Sequence, residues 1–246
     1  MRQGLICILT LVPMVLFAGT NSWNNPHLTP NHAKVRHSAF SGPPKTLDPA
    51  RSYSSDEWLF INQIYEPLLQ YHYLKRPYVL EPLTTISMPT VTYFNQRNQV
   101  LPNNTPASQV AYSVYDIKIK PNIVYQPHPA FAKHHKQFRY YPIKLEQLDA
   151  KKSLKDFKYQ ATRELTAADY VYQIKRLASP KVQSPIFGVM SQHIVGFNDF
   201  GKKLQKIYQR LDKNANQPNE RFLDLREHPI EGVRVLSRYH FQIKIK

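Results

Sequence analysis

KTLDPARSYSSDEWLFINQIYEPLL, residues 45–69, sets a Leu47-Asp48-Pro49 turn, a small polar loop and an apolar helix in succession. Ser54 and Glu57 stand three apart, the spacing of a capping box, in which a hydroxyl accepts from a free amide while a carboxylate reaches back. Trp58, Ile61, Ile64, Tyr65 and Leu68 then recur at helical spacing. Pro67 restricts the residue before it, so the helix is predicted to end near Tyr65 or Glu66.

Downstream, residues 70–106 carry Pro77, Pro82, Pro89, Pro102 and Pro106 and little periodicity, which predicts loops and one or two short strands, such as Thr90–Phe94. Val110–Lys120 (VAYSVYDIKIK) alternates and is rich in β-branched residues, the pattern of a half-buried strand, with Ile123–Tyr125 beside it as a hairpin arm. Thr166 and Asp169 predict a helix start: a hydroxyl cap, and a carboxylate at the positive end of the dipole. Val171, Ile174 and Ala178 continue its apolar spacing, and Pro180 ends it. Within 194–211, helix is predicted for the second half (GKKLQKIYQRL). Val233–Val235 and Tyr239–Ile245 (YHFQIKI) form a final hairpin, the second arm placing Tyr239, Phe241, Ile243 and Ile245 on one face. A strand that ends a chain leaves an edge for onward pairing, so an incomplete domain is expected.

Upstream, residues 1–20 read MRQGLICILTLVPMVLFAGT: a basic Arg2, an apolar run from Gly4 to Phe17, then small residues. That layout is a secretory signal peptide, and the run is short of the ~20 apolar residues that span a bilayer. Thr20 stands where a lipoprotein signal would carry its lipidated cysteine, so the product is expected to be periplasmic, soluble and not lipidated. Val35–Phe40 is a candidate first strand. The only cysteine, Cys7, lies inside the apolar run, which removes disulfides, cysteine-ligated zinc and cysteine nucleophiles from the expected mature chain.

Across the 246 residues, apolar types make up 42%, enough for a sizeable core, and twenty Pro against seven Gly point to many rigid, extended connections. The formal charge is +16, but lysines and arginines are scattered. Their densest run, Lys151–Lys158 (KKSLKDFK), is interrupted by apolar residues and Asp156 and reads as a solvated helical face. With export, this argues against a nucleic-acid partner.

Four blocks, taken in order, resemble the extracellular solute-binding proteins of peptide and nickel ABC importers, solute-binding family 5. They are Leu47-Asp48-Pro49-Ala50 followed by Ile64-Tyr65-Glu66-Pro67-Leu68-Leu69; Val114–Pro121; Leu165–Arg176 followed by Ser184-Pro185; and Gly232-Val233 with Tyr239–Ile245. The resemblance departs at Tyr125-Gln126-Pro127-His128-Pro129, where the family carries a different turn, at a proline-bearing insertion before Val110, and across 128–160. It implies an α+β chain: the N-terminal part of a class II periplasmic-binding-protein fold, mostly its inserted small domain, with a mixed or antiparallel sheet and flanking helices. Residues 21–65 would begin lobe one and residues 66–246 would be the inserted domain, incomplete at its C-terminal end. The second lobe, with its acidic group for a peptide's amino terminus, would be missing.

Carried over position by position, the ligand-facing residues are Tyr53, Ser54, Ser55 and Ile186. Two readings stand. Backbone beside the polar loop can pair with an extended peptide while Ile186 forms an apolar wall; equally, Ser54 is a helix cap and Ile186 a core residue. His128, His134 and His135 read as surface histidines rather than a metal site. No GxSxG, HExxH or phosphate-binding glycine loop occurs, and no enzyme or cofactor is expected. The partners implied by the resemblance are a peptide or other small-molecule ligand and an inner-membrane ABC permease, with the binding protein monomeric. The rival expectation is a small stand-alone envelope protein whose basic aromatic surface takes an acidic or polymeric partner.

Overall fold

A computed structural model describes residues 42–141, 143, 145–214 and 222–246. The expected signal peptide and the Val35–Phe40 strand lie outside them. Residues Pro44–Lys246 form one compact unit. It is α+β, and every strand pairing in it is antiparallel.

Helix α1 (Ser55–Ile64) ends with Tyr65 extended, one residue before Glu66, the residue that Pro67 keeps out of helical geometry. A small hairpin, β1 (Leu69–Tyr71) with β2 (Leu80–Pro82), follows. The main sheet is built from β3 (Thr90–Phe94), β4 (Val100–Leu101) and β5 (Tyr112–Lys118), completed by the C-terminal strands β8 (Val233–Ser237) and β9 (His240–Ile245) in the order β4-β3-β5-β9-β8. Between them lie the short hairpin β6 (Lys133–His134) and β7 (Gln137–Phe138), the one-turn helix α2 (Leu145–Asp149), and helices α3 (Ala167–Leu177), α4 (Phe187–His193) and α5 (Phe197–Asn214).

Alternation along β5 and β9 divides the main sheet into two chemically different faces. Ile117 pairs with Phe241, and both are buried in the core with Val171 of α3 and Val233 of β8. The intervening residues face the other way. There Asp116 accepts from Gln242 at 2.8 Å and bonds His240 Nε2 at 2.8 Å, while Phe94 stacks on Tyr112 with centroids 5.1 Å apart. Helix α5 presents Phe197, Phe200, Leu204 and Tyr208 to the core, spaced at whole turns, so one stripe of an otherwise polar helix supplies the packing.

The terminal strand β9 is not an edge: it lies between β5 and β8, so β4 and β8 border the sheet. Ile123–Tyr125 does not pair with the strand before it; Val124 bridges Glu164, because β5 already has β3 and β9 as neighbours. Lys151–Lys158 holds a single 3-10 turn (Leu154–Asp156), whose Asp156 accepts from the Ser153 amide. Helix α5 begins at Phe197, and the seven-residue α4 precedes it. That segment has too few turns to show a period, and it is held by tertiary contact, the Phe187 ring lying 5.7 Å from that of Phe197.

Candidate functional site

The Leu47-Asp48-Pro49 turn is closed by its own aspartate. The Asp48 carbonyl accepts from the amides of Arg51 and Ser52, both at 3.0 Å, and its Oδ1 accepts from the Ala50 amide at 3.0 Å. Aspartate suits this role because its short side chain reaches the backbone two residues on. Ala50, 1% exposed, fixes the turn into the core. Both carboxylate oxygens also receive the Arg176 guanidinium from α3, Nη1 to Oδ1 at 3.0 Å and Nη2 to Oδ2. Burial pushes the Asp48 carboxyl up. The Arg176 bond, the Ala50 amide and the charges of Arg176 and Arg51 together outweigh it and hold the group below its ordinary value.

Glu57 closes the loop from the other side. The Ser54 hydroxyl accepts from the Glu57 amide at 3.3 Å, so Ser54 is the cap of α1. The Glu57 carboxylate, however, is engaged chiefly by the Ser52 hydroxyl at 2.7 Å and by the amides of Lys45 at 3.0 Å and Thr46 at 3.2 Å. The Ser52 bond leads in lowering its pKa. Residues 45–57 are thus a ring of short polar contacts around one buried carboxylate.

This ring presents an open, shallow pocket of about 300 Å³ lined by Ser52, Tyr53, Ser54, Ser55 and Trp58. Three of the carried-over residues, Tyr53, Ser54 and Ser55, therefore meet at one place. Tyr53 is exposed, as is Trp58, so two aromatic side chains line the pocket together with the three serines. Ile186 does not line it. It precedes α4 and is half-buried against the core. Beside it, Ser184 Oγ is buried without a hydrogen-bond partner among the described residues. A larger hollow of about 360 Å³ lies at the β3–β4 turn. Its Asn95 is committed within the turn, accepting from the amides of Arg97 and Gln99 and donating to Gln99 Oε1.

The histidines do not converge on a metal position. His128 accepts from the Ala130 amide, and His134 and His135 touch edge to face with centroids 4.1 Å apart. Among the described residues no cluster of three metal-ligating side chains occurs, and no helix is long and apolar enough to cross a membrane. Ser191 donates to the Gly188 carbonyl, a contact within α4.

Arg176 and Ser52 are the residues that sequence reasoning left without a role here. The signal for Arg176 was present, since it closes the Leu165–Arg176 block, but nothing local pairs it with a residue 128 positions away. The chain matches no protein-family model and no curated protein.

Proposed function

We propose that this chain belongs to the substrate-binding component of a peptide-type ABC importer and contributes one wall of the ligand cleft. The observation that carries this reading is the Asp48–Arg176 pair. It joins the Leu-Asp-Pro block to the Leu165–Arg176 block, so motifs far apart in sequence share one structural joint. The pairing of Val114–Lys118 with the final strand supports it in the same way, joining the second block to the fourth. In this reading Tyr53, Ser54 and Ser55 lie against an extended ligand, and closure of a second lobe completes the site. The pocket is open to solvent, and a site with one wall buries too little of a ligand to hold it tightly.

The test is calorimetric titration with a defined pool of short peptides, on this chain and on the product of the reading frame continued past the codon for Lys246. The continued product is expected to bind saturably and to weaken on Tyr53→Ala, with this chain binding weakly or not at all. A frame that encodes no second lobe, or a continued product indifferent to the whole pool, overturns the proposal.

The rival reading, an envelope protein taking an acidic or polymeric partner, draws on a specific feature. Cations lie over aromatic rings at several places, including Arg139 over Tyr159 at 3.8 Å and Arg163 over Tyr125 at 4.7 Å. Arg163 is also paired with Asp169, which neutralises part of that surface.

A further inference from the structure

We infer that the tip of the β1–β2 hairpin is a docking surface for an anionic lipid bilayer. The tip, residues 72–79, reads HYLKRPYV. Exposure there is high for apolar side chains: 64% for Tyr71, 87% for Tyr73, 75% for Leu74 and 69% for Tyr78. Lys75 and Arg76 stand among them, and residues 72–80 contain no acidic side chain. The nearest carboxylate in the hairpin, Glu81, accepts from Gln70 Nε2 at 2.9 Å on the stem.

These side chains are held outward by an ordered turn. The His72 amide donates to the Val79 carbonyl at 2.8 Å, and His72 Nδ1 accepts from the amides of Leu74 at 3.2 Å and Lys75 at 3.3 Å. The Arg76 guanidinium lies 4.4 Å from the centre of the Tyr78 ring, which meets Tyr71 edge to face at 5.8 Å. The stem is anchored: the Leu68 carbonyl accepts from the Leu83 amide and from the hydroxyl of fully buried Thr85. The hairpin therefore carries a preformed apolar tip that does not have to be ordered on binding.

Charge and ring chemistry select the occupant. Tyrosine, with an apolar body and a polar end, favours the headgroup level of a bilayer, and lysine and arginine beside it are drawn to anionic lipids. The chain as a whole carries +16, so its field has the same sign as the tip. A nucleic-acid strand needs successive open ring faces. Here the Tyr71 and Tyr78 rings meet at 68°, and Arg76 covers one of them. The inference stands on the hairpin alone and is independent of peptide binding.

The test uses the full chain with Cys7→Ser and Val79→Cys and a nitroxide on the new thiol, so the label reports the tip and not the apolar residues 4–17. Vesicles of phosphatidylcholine with and without phosphatidylglycerol are the probe. On the anionic vesicles the label is expected to become shielded from a water-soluble relaxant and open to oxygen. At sub-saturating lipid, Lys75→Gln and Arg76→Gln should each lower the immersed fraction about fivefold, and Tyr73→Ser with Leu74→Ser should abolish it. A label that stays in water on anionic vesicles, or that immerses equally in these variants and on neutral vesicles, overturns the inference. In the first case the tip is left to a protein partner.

Discussion

Glu164 shows how one half-buried carboxylate organises a surface. It accepts from the Asn122 amide at 2.7 Å, the Tyr239 hydroxyl at 2.7 Å and the Arg238 guanidinium, binding the segment before α3 to the β8–β9 turn. The Arg238 and Tyr239 bonds lead in holding its pKa down to about 2, against an ordinary 4.5. A carboxyl whose folded value is depressed stabilises fully above its unfolded pKa and loses that contribution as pH falls toward the folded one. Urea unfolding of wild type and Glu164→Gln should therefore differ at pH 6, with the gap closing between about pH 4.5 and 2. A gap constant across that window would remove Glu164 from the joint. At the same scale the two readings of Ser54 meet: its hydroxyl caps α1, and the residue is also among those that line the pocket.

Among the elements, the corner where α4, α5 and the two last strands meet leaves no spare volume. The Val195 amide donates to the Lys244 carbonyl at 3.1 Å, and the Lys244 amide donates to the Gly232 carbonyl at 2.7 Å. A Cβ on Gly232 would stand 2.4 Å from the Val195 carbonyl oxygen and 2.9 Å from its nitrogen. Those are backbone atoms, which cannot turn aside as a side chain can. Gly232→Ala is expected to cost about 1–3 kcal/mol, read as a lower denaturation midpoint with an unchanged slope. Legibility varied by element. The starts of α1 and α3 were readable because capping is local: Ser54 with Glu57, and Thr166 with Asp169, announce themselves within four residues. Helix α4 was not, since its stability comes from Phe187 meeting Phe197 across a turn.

Over the whole molecule, the Asp48–Arg176 pair bears on how far the N-terminal described segment and the helical layer unfold together. About a quarter of each side chain remains open to water, 25% for Asp48 and 29% for Arg176. The coupling is therefore expected at about 1–2 kcal/mol, toward the low end for bonds between charged groups. A double-mutant cycle with Asp48→Asn and Arg176→Gln, followed by chemical denaturation, measures it; a coupling near zero would leave the two blocks merely adjacent. The sequence by itself determined what neighbours can decide: the Leu-Asp-Pro turn, the helix caps, the alternation that marks β5 and β9, and the polar loop at Tyr53, Ser54 and Ser55. Tertiary structure alone decided that β9 lies inside the sheet, that Ile186 sits apart from the pocket, that Arg176 answers Asp48, and that the β1–β2 tip stands out in solvent. Capping and alternation act over a few residues, whereas strand order, ion pairing and exposure depend on which distant surfaces meet when the core closes.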